Sequence, residues 1–157
     1  LGTGKVTIVE GAGAGIVDAL FIALTRHLGE VYHSIGDFEI SSFTVRGDAD
    51  TGKTVYKADA KATVIMRLLN TRGQEFEFRH TSGSVTRSSV CVVLSAVEYF
   101  VNAERAYERA YEALKAARKA DRPELIDKYT RILSDLVLNT SYSELVKKVE
   151  RKHKRLK

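Results

Sequence analysis

Two alternating stretches meet across one tight turn, and they limit the folds open to this 157-residue chain. "ADAKATVIMRLL" places Ala62, Val64, Met66 and Leu68 at every second position, and "QEFEFRH" does the same with Phe76 and Phe78. A period of two marks a strand with one apolar face. Only "NTRG" (70–73) separates the two, too little chain for a crossover, so they are expected to form an antiparallel hairpin. "DFEISSFTV" (37–45) is a third strand; Phe38 and Ile40, then Phe43 and Val45, break the alternation and predict a bulge or a change of face. "RGDADTGK" (46–53) is turn-rich, and "TVYKADAKATVIMRLL" (54–69) is expected as one long strand or a kinked pair. Near the start, "KVTIVE" (5–10) alternates with β-branched residues and predicts a further half-buried strand.

Helical periodicity takes over elsewhere. "IVDALFIALTRHL" (16–28) sets Val17, Leu20, Phe21, Leu24 and Leu28 on one face, with Gly29 as its stop. A long helix is expected from about residue 88 to about 119, its stripe running Val90, Val93, Leu94, Val97, Val101, Tyr107, Tyr111 and Leu114. "ADRPE" breaks it. Asp121 with Glu124 resembles a capping box, and Pro123 suits a first helical turn. The next helix carries Leu125, Tyr129, Ile132, Leu133, Leu136 and Val137, and Ser141 with Glu144 can cap a last, basic helix. Antiparallel strands with segregated helices define an α+β fold. Strand, glycine-bearing loop and apolar helix occur at 5–28 and again at 74–101, a faint internal repeat.

Composition narrows the chemistry. No apolar run is long enough to span a bilayer, and no basic stretch followed by an apolar core marks a secretory signal. The single cysteine, Cys91, builds no disulfide framework, which suits a reducing cytosol, and its apolar neighbourhood argues for packing over nucleophilic chemistry. His27, His33, His80 and His153 are scattered without metal-ligand spacing, so no metal site and no cofactor are expected. The net charge of +5 is concentrated in the final "KKVERKHKRLK". A basic tail can touch nucleic acid, but it lacks interleaved aromatics, and a solvated helix end is the preferred reading.

The segment "VEGAGAGIVDALFIAL" (9–24) poses the functional question. A dinucleotide fingerprint requires a third glycine where Ile16 or Asp18 stands, and a Walker loop requires a lysine that is absent. A carboxylate in the first helical turn also repels a docked phosphate. Alternating Gly and Ala nevertheless bare N–H groups at a helix start, where a carboxylate can dock, and Asp18 can accept from an ammonium. A zwitterionic amino acid satisfies both. The plainer alternative is that the glycines only permit a tight turn.

"GAGIVDALFIAL" (13–24) resembles the G-x-G-x-V-D-A-L-F element of the C-terminal regulatory domain of 2-isopropylmalate synthases, shared in looser form by citramalate synthases. "IGDFEISSFTV" (35–45), "ADAKATVIMRL" (58–68) and "SGSVTRSSVCVVLSAVEYFVN" (82–102) are similar to later elements of that domain. The resemblance covers roughly residues 5–102. It implies a pseudo-repeat of two β-β-β-α units, the first truncated here, that dimerises and binds leucine or isoleucine between the units. Implied ligand positions are Gly13, Ala14, Gly15, Ile16, Asp18 and Ala19, with Ser84, Val85, Thr86 and Ser88 from the second loop. Ser88 and Ser89 stand where an acidic residue and Ile are usual, and Val97 replaces a Tyr. "GDADTGKTVYK" (47–57) looks like an insertion or a lengthened hairpin.

Nothing in the chain resembles the catalytic barrel of that family, and 157 residues could not hold one as well. The resemblance therefore implies a cytoplasmic, non-catalytic regulatory domain, residues 1–102, with a helical extension at 103–157. It would act on a tethered or separate synthase barrel, a transferase of leucine biosynthesis. The alternative is an interaction module whose ligand site has decayed and whose C-terminal helices dimerise or dock a partner.

Overall fold

A computed structural model describes residues 6–47 and 61–138. Their order is α1 (Ile16–Gly29), a short 3-10 helix (His33–Asp37), β1 (Phe38–Gly47), β2 (Ala62–Asn70), β3 (Glu75–Ser82), α2 (Val85–Lys119) and α3 (Pro123–Leu138). The fold is α+β. Its sheet is antiparallel in the order β1-β2-β3.

The hairpin forms as the alternation predicts. Asn70 organises its turn: the side-chain Oδ1 accepts from the N–H groups of Arg72 and Gln74, both at 2.9 Å. Gly73 takes φ +78°, a left-handed conformation that a Cβ disfavours. The bulge expected in β1 is also present. Pairing with β2 slips between Ile40 and Ser42, so Ser41 is the extra residue. That slip keeps Ile40, Phe43 and Val45 on the face shared by Leu68, Met66 and Val64. The opposite face carries Arg67, Glu75, Glu77 and Arg79 in ion pairs and stays wet.

α2 lies across the apolar face. Val92, Val93, Ala96, Val97 and Phe100 form one buried cluster with Val64, Met66, Leu68, Phe38 and Phe21. Phe100 is its centre: it stacks on Phe38 at 3.7 Å between centroids and meets Phe76 and Phe78 edge-on. Burying a large apolar side chain contributes about 1.5–3 kcal/mol, so this cluster is the main source of stability. The stripe anticipated from spacing holds at Val93, Val97, Tyr107 and Leu114, which are buried. Leu94 is exposed and Val90 and Val101 are only half-buried, and Val92, Ala96 and Phe100, outside that stripe, are buried as well.

α1 packs beside α2 in the same sense. Val17, Leu20, Leu24 and Leu28 all pack against the cluster that joins Phe21 to Val92, Val93, Ala96, Val97 and Phe100, not against the Tyr107 cluster further along α2. The chain just beyond α1 reaches the level of Glu104 and Arg105, where Ser34 and Tyr32 bond to them. Both helices therefore begin toward one end of the fold.

Beyond the sheet α2 continues as one arm of a hairpin with α3, and residue 102 lies in mid-helix. The hairpin turn differs from the expected capping box. Asp121 adopts φ 49° and closes α2: its N–H donates to Arg118 O, and the Arg122 N–H donates to Ala117 O, the paired bonds of a Schellman motif. Asp tolerates this conformation better than most residues.

Residues 6–10 do not form the expected strand. They have no sheet partner among the described residues, and Val6 and Ile8 are 87% and 84% exposed. The long strand anticipated from residue 54 is described only from residue 61 on. Its first part, most of the 46–53 turn and the 47–57 insertion, and the last basic helix lie outside the described residues. No described helix is long and apolar enough to cross a membrane.

Candidate functional site

The glycine loop is held against its own helix. A Cβ on Gly11 would sit 2.3 Å from Ala19 O and 2.8 Å from Ala23 N; on Gly13 it would sit 2.4 Å from Asp18 Oδ2. These two glycines let the backbone lie directly on α1, which buries Ala23. Gly15, by contrast, has open space where its Cβ would stand. It is the N-cap residue of α1 and supplies no side-chain hydrogen bond.

Asp18 leaves the first turn uncapped and instead ties down the residue before the N-cap. Its Oδ2 accepts from the Ala14 N–H at 2.9 Å, which pins the loop and offsets the helix dipole. One backbone donor of the anticipated carboxylate cradle is thus already used. The N–H groups of Ile16, Val17 and Asp18 precede the first intrahelical bond, which runs from Ala19 N to Gly15 O, and stay available. Ile16 is 54% exposed, and Ala19 is half-buried.

The second loop is shorter than spacing suggested, because α2 starts at Val85. Ser84 is its N-cap: the Oγ accepts from the Arg87 N–H at 3.3 Å. Val85 and Thr86 therefore belong to the first helical turn and are exposed. Ser88 is fully buried, with its hydroxyl 2.8 Å from Ser82 Oγ and 3.2 Å from His80 Nδ1. It cannot touch a ligand in this conformation; its role is to tie α2 to β3.

The implied residues accordingly divide. Ala14, Gly15, Ile16, Ser84, Val85 and Thr86 are exposed, whereas Asp18 and Ser88 are engaged in holding their own loops. No hydrogen bond or ion pair among the described residues links segment 13–19 to segment 82–88. Both segments start helices that run in the same sense, and the half-exposed Phe43 and Val45 lie on the sheet face against which α2 packs.

Two further features escaped the sequence. Glu104 is buried, and its Oε2 accepts from Ser34 N–H at 3.0 Å and Ser34 Oγ at 2.6 Å. Its Oε1 has no partner. A buried carboxylate in mid-helix is indistinguishable from a surface one by spacing alone. The second is an apolar groove of about 410 Å³ between α2 and α3, lined by Leu114, Arg118, Thr130, Leu133, Ser134 and Val137. Among the described residues no cluster of three His, Cys, Asp or Glu side chains could hold a metal ion.

Compared with family models, with curated proteins and with solved structures, the chain finds no match in any of the three.

Proposed function

We propose that this chain is an effector-binding regulatory domain of the 2-isopropylmalate synthase type. It binds leucine or isoleucine at the end where α1 and α2 begin, and it mediates dimerisation. The observation that carries this reading is the shared direction of the two helices, each entered through a loop of small residues. Ile16 and Val85, exposed at the two starts, offer apolar contact to a branched side chain. The N–H groups of Ile16 and Val17 receive the carboxylate. Asp18 Oδ1, left over from the bond to Ala14, takes the ammonium. The two helix-bearing segments correspond to the two units of the pseudo-repeat.

The chain itself is non-catalytic in this proposal. Ligand bound between the units changes their packing, and a synthase barrel, tethered or separate, responds in the cytoplasm. Such coupling requires different effector affinity in the two states. Calorimetric titration with leucine, isoleucine and valine tests it: binding of one of them with a matching rise in Tm is expected. Absence of heat and of thermal shift for all three removes the ligand claim.

One observation favours a second reading, an interaction module with a decayed site. Asp18 and Ser88 are both engaged inside the fold, while the α2–α3 hairpin presents an apolar groove away from the sheet. Under that reading the amino acids fail to bind, and removal of the hairpin changes the oligomeric state.

A further inference from the structure

The hydrogen bonds behind the second loop fix the direction of every proton in them. Ser82 Oγ has one hydrogen and faces two oxygens at 2.8 Å, Ser84 O and Ser88 Oγ. A carbonyl only accepts, so Ser82 donates to Ser84 O. Ser88 must then supply the hydrogen between the two hydroxyls. Its hydrogen spent, Ser88 can only accept from His80 Nδ1 at 3.2 Å. The Ser84 N–H returns to Ser82 Oγ at 3.2 Å and closes the set. The reverse direction, with Ser88 donating to His80, leaves one of the 2.8 Å oxygen pairs without a hydrogen and therefore repulsive.

We infer that this serine relay holds His80 as the Nδ1–H tautomer, so that neutral His80 presents a bare Nε2 as a hydrogen-bond acceptor for a ligand N–H or ammonium. Nε2 has no hydrogen-bond partner among the described residues. It is also not sealed in: among the described residues Glu104 Oε1, elsewhere in the fold, is the buried side-chain atom without a partner. His80 is half-buried on the apolar face of β3, in the same cross-strand row as Val64 and the half-exposed Val45. A polar acceptor beside apolar surface is what a small amphiphilic donor requires. The ligand part of this inference rests on the effector reading; the tautomer does not.

Nitrogen-15 NMR of the His80 ring, in the whole chain at neutral pH, tests the tautomer. A proton on Nδ1 and none on Nε2 is expected; the opposite assignment overturns the inference. Ser88→Ala removes the relay and is expected to return His80 to the Nε2–H form, with the fold checked by circular dichroism. A ring that keeps Nδ1–H in that variant shows that the relay is not the cause. His80→Asn, whose amide N–H can replace Nδ1–H, is expected to keep the Arg87 and Ser88 amides protected, whereas His80→Ala exposes them. Titration with L-leucine then separates the claims. Movement of the Nε2 resonance supports the ligand role. Movement of the Gly13–Ile16 amides without Nε2 overturns that role and leaves the effector reading standing. Movement of neither overturns the effector reading, while the ring spectrum alone decides the tautomer.

Discussion

Asp18 accepts a hydrogen bond from the Ala14 N–H, four residues upstream of it, and so fastens the segment that enters α1 to the helix it starts. The glycines on either side of Ala14 are consequently unequal. Gly13→Ala puts a Cβ 2.4 Å from the Asp18 carboxylate and 2.7 Å from Ala19 N, and Gly11→Ala puts one 2.3 Å from Ala19 O. Each is expected to cost about 1–3 kcal/mol, as overpacking against fixed backbone does. Gly15→Ala meets nothing within 4 Å and, at an N-cap where Ala ranks below Gly, is expected to cost less than either, at most about 1 kcal/mol. Chemical denaturation of the three variants checks the order; equal losses at all three positions contradict it.

Glu104 and Ser34 join α2 to the short 3-10 helix across 70 residues of sequence. Glu104→Ala leaves the buried Ser34 N–H and hydroxyl without an acceptor, a cost of about 1–3 kcal/mol. Glu104→Gln keeps an amide oxygen for Ser34 and removes the charge from a site where one carboxylate oxygen is unpartnered. It is expected to lie within about 1 kcal/mol of the parent protein. Thermal unfolding distinguishes the two, and a Gln variant as damaged as the Ala variant shows that Ser34 needs the full charge.

The sheet was legible because alternation is a strong local signal. The paired strands, the Asn70–Gly73 turn and even the slip around Ser41 follow from which residues are apolar. Segment 6–10 shows the limit of that signal. Its alternation is as good as that of β3, yet a strand needs a neighbour, and residue types do not say where one is. The α2 stripe was incomplete for a related reason. Several overlapping stripes run along "VCVVLSAVEYFV", and the choice among them depends on where Phe38 and Phe76 sit, which is tertiary information. At the candidate site the sequence pointed to the two loops that enter α1 and α2. It did not show that Asp18 and Ser88 spend their hydrogen bonds inside those loops.

Tyr107 anchors the hairpin, packed with Tyr111, Leu133, Leu136 and Val137 in a cluster separate from the sheet core. Local stability follows local packing, so the two clusters are expected to respond independently. Tyr107→Ala should raise amide exchange across α3, residues 123–138, while the amides of β2 keep their protection. Hydrogen exchange read by mass spectrometry checks this; parallel loss of protection in β2 means that the hairpin and the sheet unfold as one unit.

The wet face of the sheet offers a test by pH. Arg79, and then Arg67, hold the Glu77 carboxyl below its ordinary pKa through charge-assisted hydrogen bonds. A carboxylate whose pKa is lower in the folded chain stabilises the fold above its unfolded-state pKa. That stabilisation is lost as pH falls through the folded-state value. The pairs are solvent-exposed, so salt weakens them and the carboxyl returns toward its ordinary value. NMR titration of the Glu77 side chain at low and high ionic strength is expected to show a depressed midpoint that rises with salt. Arg79→Gln should raise it further than Arg67→Gln, and a midpoint indifferent to both substitutions would mean that the pairs do not persist in solution.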